Sequence, residues 1–277
     1  MKLERPKIIK YISIGVIAVF IATLWTGRKE KKTNLIRDYE TIEKEGVLRA
    51  VTEYNSFSYY RNEDTVSGFY YELIHAFARD KKLKVEVIPE MSFEKRIQGL
   101  CNGHYDIIAY GIPTTSQWKD SLLLTIPIVR SKQILVQRKP DYDSASIYIK
   151  SLLDLAHKTL YVEKGSPSIL RIRNLENEIA DTIFIEEVEK YGLEQLIAMV
   201  AHGDIDYVVS DEKIAKASID SFPQLDINTG ISFTQFYSWG VSKQSPALRD
   251  TLDAWLTDYL QKKEYRQLHY KYFRENP

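Results

Sequence analysis

The residue types that could carry chemistry are few in this chain, and their spacing is poor for it. Five histidines, His75, His104, His157, His202 and His269, are scattered with no HExxH or comparable metal-ligand spacing. The single cysteine, Cys101, rules out an intramolecular disulfide and any multi-cysteine zinc or iron–sulfur site. There is no GxSxG elbow, no phosphate-binding P-loop and no GxGxxG turn. The acidic pairs Glu186-Glu187 and Asp211-Glu212 are neighbours in sequence, so their carboxyls do not converge, and they read as solvated faces. No catalytic group, no metal site and no cofactor is therefore predicted. What stands out is 19 tyrosines. A phenol ring offers a flat apolar face and a hydroxyl, which suits a binding cleft as well as ordinary half-buried packing. The 38 Lys and Arg balance 38 Asp and Glu, so the basic excess that nucleic-acid binding needs is missing.

The elements that must position any site follow from the hydrophobic pattern. A composition 44% hydrophobic and 27% charged is that of a globular protein. Tyr11 to Trp25 carry no charge and are flanked by Lys2, Arg5, Lys7 and Lys10 on one side and Arg28, Lys29, Lys31 and Lys32 on the other. Residues 1–32 thus read as a membrane anchor (span 11–26) or a signal segment, the anchor favoured because no small-residue cleavage site follows. Residues 33–44 read as a tether leading into a short helix, and the remainder is expected on the periplasmic side of the inner membrane. Beyond it, Val47–Thr52, Leu83–Ile88 and Asp106–Tyr110 read as strands, alternating with helices over Phe69–Lys81 and Phe93–Leu100. The pattern repeats with strands at Thr159–Val162, Thr182–Ile185 and Tyr207–Val209 and helices over Ser168–Leu175 and Tyr191–Ala201, and a helical pair spans Pro246–Phe273. Two α/β units of like design, each with a mostly parallel sheet, are expected.

Six strings, in order, carry a family resemblance: VLRAVTEYNSFSYY, GFYYELIHAFARDKKLKVEVI, IQGLCNGHYDIIAYGIPTT, IPIVRSKQILV, GDIDYVVSDEKIA and SWGVSKQSPALRDTLDAWLTDYLQKKEYRQLHYKYF. Together they resemble the family 3 extracellular solute-binding proteins, the periplasmic amino-acid-binding type. The same domain opens the membrane-bound lytic murein transglycosylase F group. The resemblance implies an α/β, two-lobed periplasmic-binding-protein fold of type II, preceded here by one N-terminal transmembrane helix or signal segment. It places one lobe at 45–130 plus 238–277 and the other at 134–236, with ligand trapped between them.

Carried over residue by residue, the resemblance puts Tyr54 on a cleft aromatic and Asp211 on the acid that holds an α-ammonium. Asp211 is equally a helix N-cap, and the two roles are compatible. Gly165 and Ser166 fall on a glycine–hydroxyl turn before a helix, where N–H groups could hold an anion. The departures weigh as much. The arginine that clamps an α-carboxylate falls on Trp118, an uncharged indole, and two expected hydroxyls fall on Pro113 and Pro167. A free α-amino acid is therefore not the expected ligand. Tyr54, Phe57, Tyr59, Tyr110 and Trp118 are read instead as an aromatic cleft, with Gly111 beside Tyr110 at a strand end, suited to an amino-acid derivative, a peptide, a sugar or a cell-wall fragment. Expected partners are such a small molecule, the membrane through the N-terminal helix, and an ABC-type transporter or a cell-wall enzyme. Nucleic acid is excluded. The transglycosylases carry a lysozyme-like catalytic domain after this module, which the sequence does not contain. Two alternatives stay open: a regulatory or docking module, and a dehydratase-like enzyme whose acids would be Glu53 and Asp211.

Overall fold

The computed structural model describes residues 35–140 and 148–274. The segment 1–32 read as an anchor lies outside the described residues. Among the described residues, no helix is long and apolar enough to cross a membrane.

In chain order, the first half contains α1 (Tyr39–Glu45), β1 (Val47–Thr52), β2 (Tyr60–Asn62), β3 (Thr65–Ser67), α2 (Phe69–Asp80), β4 (Lys84–Pro89), α3 (Phe93–Cys101), β5 (Ile107–Pro113), α4 (Ser116–Ser121), β6 (Leu123–Leu124) and β7 (Val129–Ser131). After β8 (Gln133–Arg138) come β9 (Thr159–Glu163), α5 (Ser168–Ile179), β10 (Phe184–Val188), α6 (Leu193–His202), β11 (Val208–Asp211), α7 (Glu212–Ile219) and β12 (Leu225–Asp226). The chain closes with β13 (Gln235–Val241), α8 (Pro246–Tyr259) and α9 (Lys263–Phe273).

The strands form two sheets of the same plan. The first has the order β4-β1-β5-β13-β6, with β7 also pairing with β13. The second has the order β10-β9-β11-β8-β12. In each, three strands run parallel and the return strand, β13 or β8, lies antiparallel beside them. The fold is thus α/β and two-lobed. Sequence patterning finds most of these elements but not the β2–β3 hairpin, the short α4, or β6, β7 and β12. Each of those is too short to show a hydrophobic period, and tertiary contacts hold it in place.

Side-chain alternation decides what each strand residue packs against. In β1 and β5 the register pairs Ala50 with Ile107 and Val51 with Ile108. Ala50 and Ile107 belong to the main core, with Phe69 and Phe77 of α2, Trp239 of β13 and Leu252 of α8. Val51 and Ile108 point to the opposite face and build a second cluster with Phe93, Leu100 and Trp118. Helix ends follow local chemistry. Asp38 caps α1, and Ser92 accepts the Lys95 N–H at the start of α3. Gly46 and Gly203 adopt φ of 70° and 86° to end α1 and α6.

Candidate functional site

The carboxyl end of β5 in the first lobe faces those of β9 and β11 in the second across a cleft lined from both sides. This is where an open α/β sheet presents its loops to a ligand. The cleft together with its open mouth spans about 670 Å3 of empty space, part of it open to solvent. Phe57, Ser58 and Tyr70 line it from the first lobe, Ser166, Ser168 and Ile214 from the second, and Ser131, Gln133 and Tyr237 from the connecting strands. The lobes are closed on one another. The Ser56 N–H donates to Glu194 at 2.9 Å across the lip, and its hydroxyl donates to the same carboxylate. Lys164 lies 3.7 Å from Glu94 of the other lobe. Gly192 approaches Met91 so closely that an added Cβ would collide with the thioether methyl.

Asp211 ends β11, is half-buried, and lines this cavity. It accepts Ser131 Oγ at 2.9 Å and the Lys213 N–H at 2.8 Å, and the Tyr237 hydroxyl also bonds to it. The Lys213 contact makes Asp211 the N-cap of α7. Burial pushes its carboxyl up to about 6, against the opposing pull of these donors. Glu163, at the end of β9, is the other acid in the lining. Burial first, and the nearby Glu53 second, push it up to about 8, although Arg96 pulls the other way. Burial also raises the phenols of Tyr70, Tyr110 and Tyr237 well above their ordinary range.

Behind Tyr110 lies an ion pair sealed from solvent. Arg96 Nη2 is 3.2 Å from Glu53 Oε2, and both side chains have no exposed surface. Arg96 Nη1 donates to the Glu90 carbonyl at 2.6 Å and contacts that of Met91 at 3.2 Å, while the guanidinium lies 4.7 Å from the Tyr110 ring centre. Glu53 Oε1 and Arg96 Nε are buried without a hydrogen-bond partner. So are Ser58 Oγ and Gln133 Oε1, both on residues of the cavity lining.

The structure places the sequence-derived site residues as follows. Phe57, Tyr110, Gly111, Ser166 and Asp211 line the cavity together. Tyr54 is 46% exposed and packs edge-on against Tyr59 at 6.0 Å, outside the lining. Trp118 is buried in the first lobe, 5.0 Å from the Phe93 ring, and does not reach the lining. Gly165 turns the chain at φ 69° outside the lining. Its N–H donates to Glu187 at 2.9 Å, that of Ser166 to the Glu163 carbonyl at 3.0 Å, and that of Ser168 to Ser166 Oγ at 3.2 Å. With Pro167 lacking an N–H, the turn's donors are spent internally, so it is not an anion nest. Sequence reasoning missed Ser58, Gln133 and Glu163. Glu163 alone left a signal, standing one residue past the strand predicted to end at Val162. Among the described residues no group of three or more His, Cys, Asp or Glu could hold a metal ion.

Comparison with known proteins agrees with this architecture. The chain is 27% identical over 274 residues to membrane-bound lytic murein transglycosylase F of Photobacterium profundum, covering 98% of this chain and 52% of that protein. It is 26% identical over 234 residues to the transglycosylase F of Desulfosudis oleivorans, covering 84% of this chain and 50% of that one. The chain thus spans about half the length of these curated relatives. Among solved structures, a mutant of ArgBP from T. maritima superposes with a TM-score of 0.73 at 22% identity, over 85% of this chain and 99% of that one. An ancestral arginine-binding protein bound to glutamine gives 0.72 at 25% identity, over 83% and 99%. The model of bacterial extracellular solute-binding proteins, family 3, matches residues 48–275. With the two sheets, the doubled crossing between them and the enclosed cleft, that match shows that the chain belongs to this family.

Proposed function

We propose that this chain is a non-catalytic binding module, held on the outer side of the cytoplasmic membrane, whose lobes close on a small ligand lacking a free carboxylate. One observation carries the reading. The charged side chains of the lining are the acids Glu163 and Asp211 and the amine of Lys213, with no guanidinium among them. The Lys213 amine is drawn toward the Phe273 ring at 4.4 Å, and the N–H groups of the Gly165–Ser168 turn are already bonded. A carboxylate in this cavity would meet the Asp211 carboxyl and no guanidinium clamp, at a cost of several kcal/mol. An ammonium, amide or hydroxyl group would instead meet Asp211, Gln133 and Ser58, the last two of which have polar atoms without partners. Aromatic walls at Phe57, Tyr70 and Tyr110 suit the flat face of a sugar ring or a peptide unit.

A second reading, a sensing or docking module for a cell-wall enzyme, is favoured by the alignment with half of each transglycosylase. Its ligand would be a muropeptide, and its partner a cell-wall enzyme rather than an ABC-type transporter. A thermal-shift screen of the full chain against free amino acids, amino-acid amides, amino sugars and muropeptides tests both, because a ligand that binds only the folded form raises the melting temperature. Stabilisation by amides, sugars or muropeptides is expected. Stabilisation by free α-amino acids alone would overturn the carboxylate-free reading.

A further inference from the structure

An acid of the second lobe is enclosed beside a buried ion pair of the first: Glu163 lines the cavity with Phe93 and Tyr110, whose rings flank the Arg96 guanidinium at 5.4 and 4.7 Å. Glu53 and Arg96 belong to the first lobe, at the end of β1 and on α3. Glu163 belongs to the second, at the end of β9. It lies where the lobes meet, lining the main cavity with Phe93 and Tyr110 and the lip with Met91 and Ser92, all four from the first lobe. Arg96 bonds to the Met91 carbonyl at that lip, so the guanidinium and Glu163 approach the same wall from its two sides. The charged groups that act on Glu163 are Glu53 after β1 and Arg96 on α3, and the Tyr110 phenol on β5 feels Glu163 together with Glu53, Arg96 and the Asp211 of β11. Lys164, its neighbour, is turned to Glu94 and Glu189 at the surface.

The charge does not balance as drawn. Arg96 offsets one carboxylate, and Glu53 already takes it at 3.2 Å. Glu163 then enters the same enclosed region as a second negative charge, and Glu53 Oε1 stands unpartnered. Two carboxylates beside one guanidinium in a desolvated site cannot both stay ionised at ordinary cost. A proton restores neutrality and turns Glu163 from an acceptor into a donor. In an opened cleft Glu163 would face water and need none.

We propose that the Glu53–Arg96–Glu163 cluster couples lobe closure, and with it ligand capture, to uptake of one proton, leaving Glu163 as a neutral carboxyl that donates to an oxygen of the ligand or to Glu53. The proton comes from solvent onto a Glu163 carboxyl oxygen, and no other bond changes. This rests on the hinge-closing reading above and adds its regulation. The sign follows from the direction in which closure moves Glu163. Its carboxyl titrates near 4.5 when solvated and about 8 when enclosed, so closure is unimpeded at acid pH. It then weakens by up to about tenfold per pH unit as pH rises between those values, and changes no further above about 8.

The test needs no ligand. Spin labels on Cys101, exposed on α3, and on a cysteine introduced by Lys190→Cys in the second lobe report the lobe separation in the full chain by double electron–electron resonance. The short-distance population is expected to grow as pH falls from 8.5 to 5.5. Glu163→Gln should remain closed across this range, and Glu53→Gln, which frees Arg96 to pair with an ionised Glu163, should blunt the pH response. A wild-type distribution that ignores pH, or a Glu163→Gln chain that keeps the wild-type pH response, overturns the proposal. A failed ligand screen would count against the ligand reading alone, because the lobe distance is read on the empty protein.

Discussion

At the scale of single residues, the aromatic and acidic side chains separate into those that face the cavity and those that hold the lobes. Trp118 packs with Phe93, Leu100 and Ile108 in the outer cluster of the first lobe. Trp118→Ala is therefore expected to cost about 3–5 kcal/mol of stability, read by denaturant unfolding, while leaving ligand selectivity unchanged once the chain is folded. Asp211→Asn should behave in the opposite way. Asparagine caps a helix as well as aspartate does, so α7 stays intact and the stability change should remain within about 1 kcal/mol. Loss of the charge should weaken an amine-bearing ligand at least tenfold by calorimetry, and an unchanged affinity would leave Asp211 as a cap only. Gly111 packs against Tyr70 and Tyr237 with no room for a Cβ. Gly111→Ala should displace the Tyr70 hydroxyl and the Tyr237 ring, whose hydroxyl bonds to Asp211, and lower stability measurably.

At the scale of elements, β1 and Arg37, which stands just before the cap of α1, are tied to the start of β5 by one carboxylate. Asp106, whose side chain is fully buried, accepts the Arg49 N–H at 2.7 Å, Arg49 Nη2 at 2.7 Å and Arg37 Nε at 3.1 Å. The cluster fixes the register at which α1, β1 and β5 meet, because any shift would strand buried charges. Asp106→Ala leaves two guanidinium groups facing each other. It is expected to cost about 3–5 kcal/mol, measured as a fall in the unfolding midpoint in urea. The turn between β9 and α5 is a second such joint. Its left-handed Gly165 and internally bonded N–H groups hold Ser166 and Ser168 toward the cavity at the expense of any anion site.

At the scale of the whole molecule, the closed lobes bury two acids that the unfolded chain would expose. Both Glu163 and Asp211 titrate higher in the folded protein, at about 8 and about 6. The folded chain therefore holds protons more tightly than the unfolded one. Their contribution is least unfavourable below about 4 and worsens as pH rises through 6 and 8, by up to about 1.4 kcal/mol per pH unit for each group while it titrates. The melting temperature is expected to fall from pH 5.5 to pH 8.5, and Glu163→Gln with Asp211→Asn should flatten that slope. The lip adds a contact that exists only in the closed form, the Ser56 hydrogen bonds to Glu194. Glu194→Ala should shift the empty protein toward the open arrangement, seen as a larger radius of gyration in solution scattering.

What the sequence by itself determined is the class of the fold, because the 2.0 and 3.6 residue periods of strands such as VLRAVT and helices such as FYYELIHAF are local properties. It also carried the expectation that no arginine clamps a carboxylate, since the residue at the matched position, Trp118, is legible without coordinates. Gly165-Ser166 was legible as a turn, but whether its N–H groups were free was not, because Glu187 reaches it from a strand 22 residues on. Trp118 and Tyr54 look alike to a sequence reading, as aromatics beside strand ends. Only packing decided that one enters a core and the other faces solvent. Glu53, Arg96 and Glu163 are 43 and 67 residues apart in turn. Their charge imbalance exists only where the lobes meet, because desolvation is a property of enclosure and not of the residues themselves.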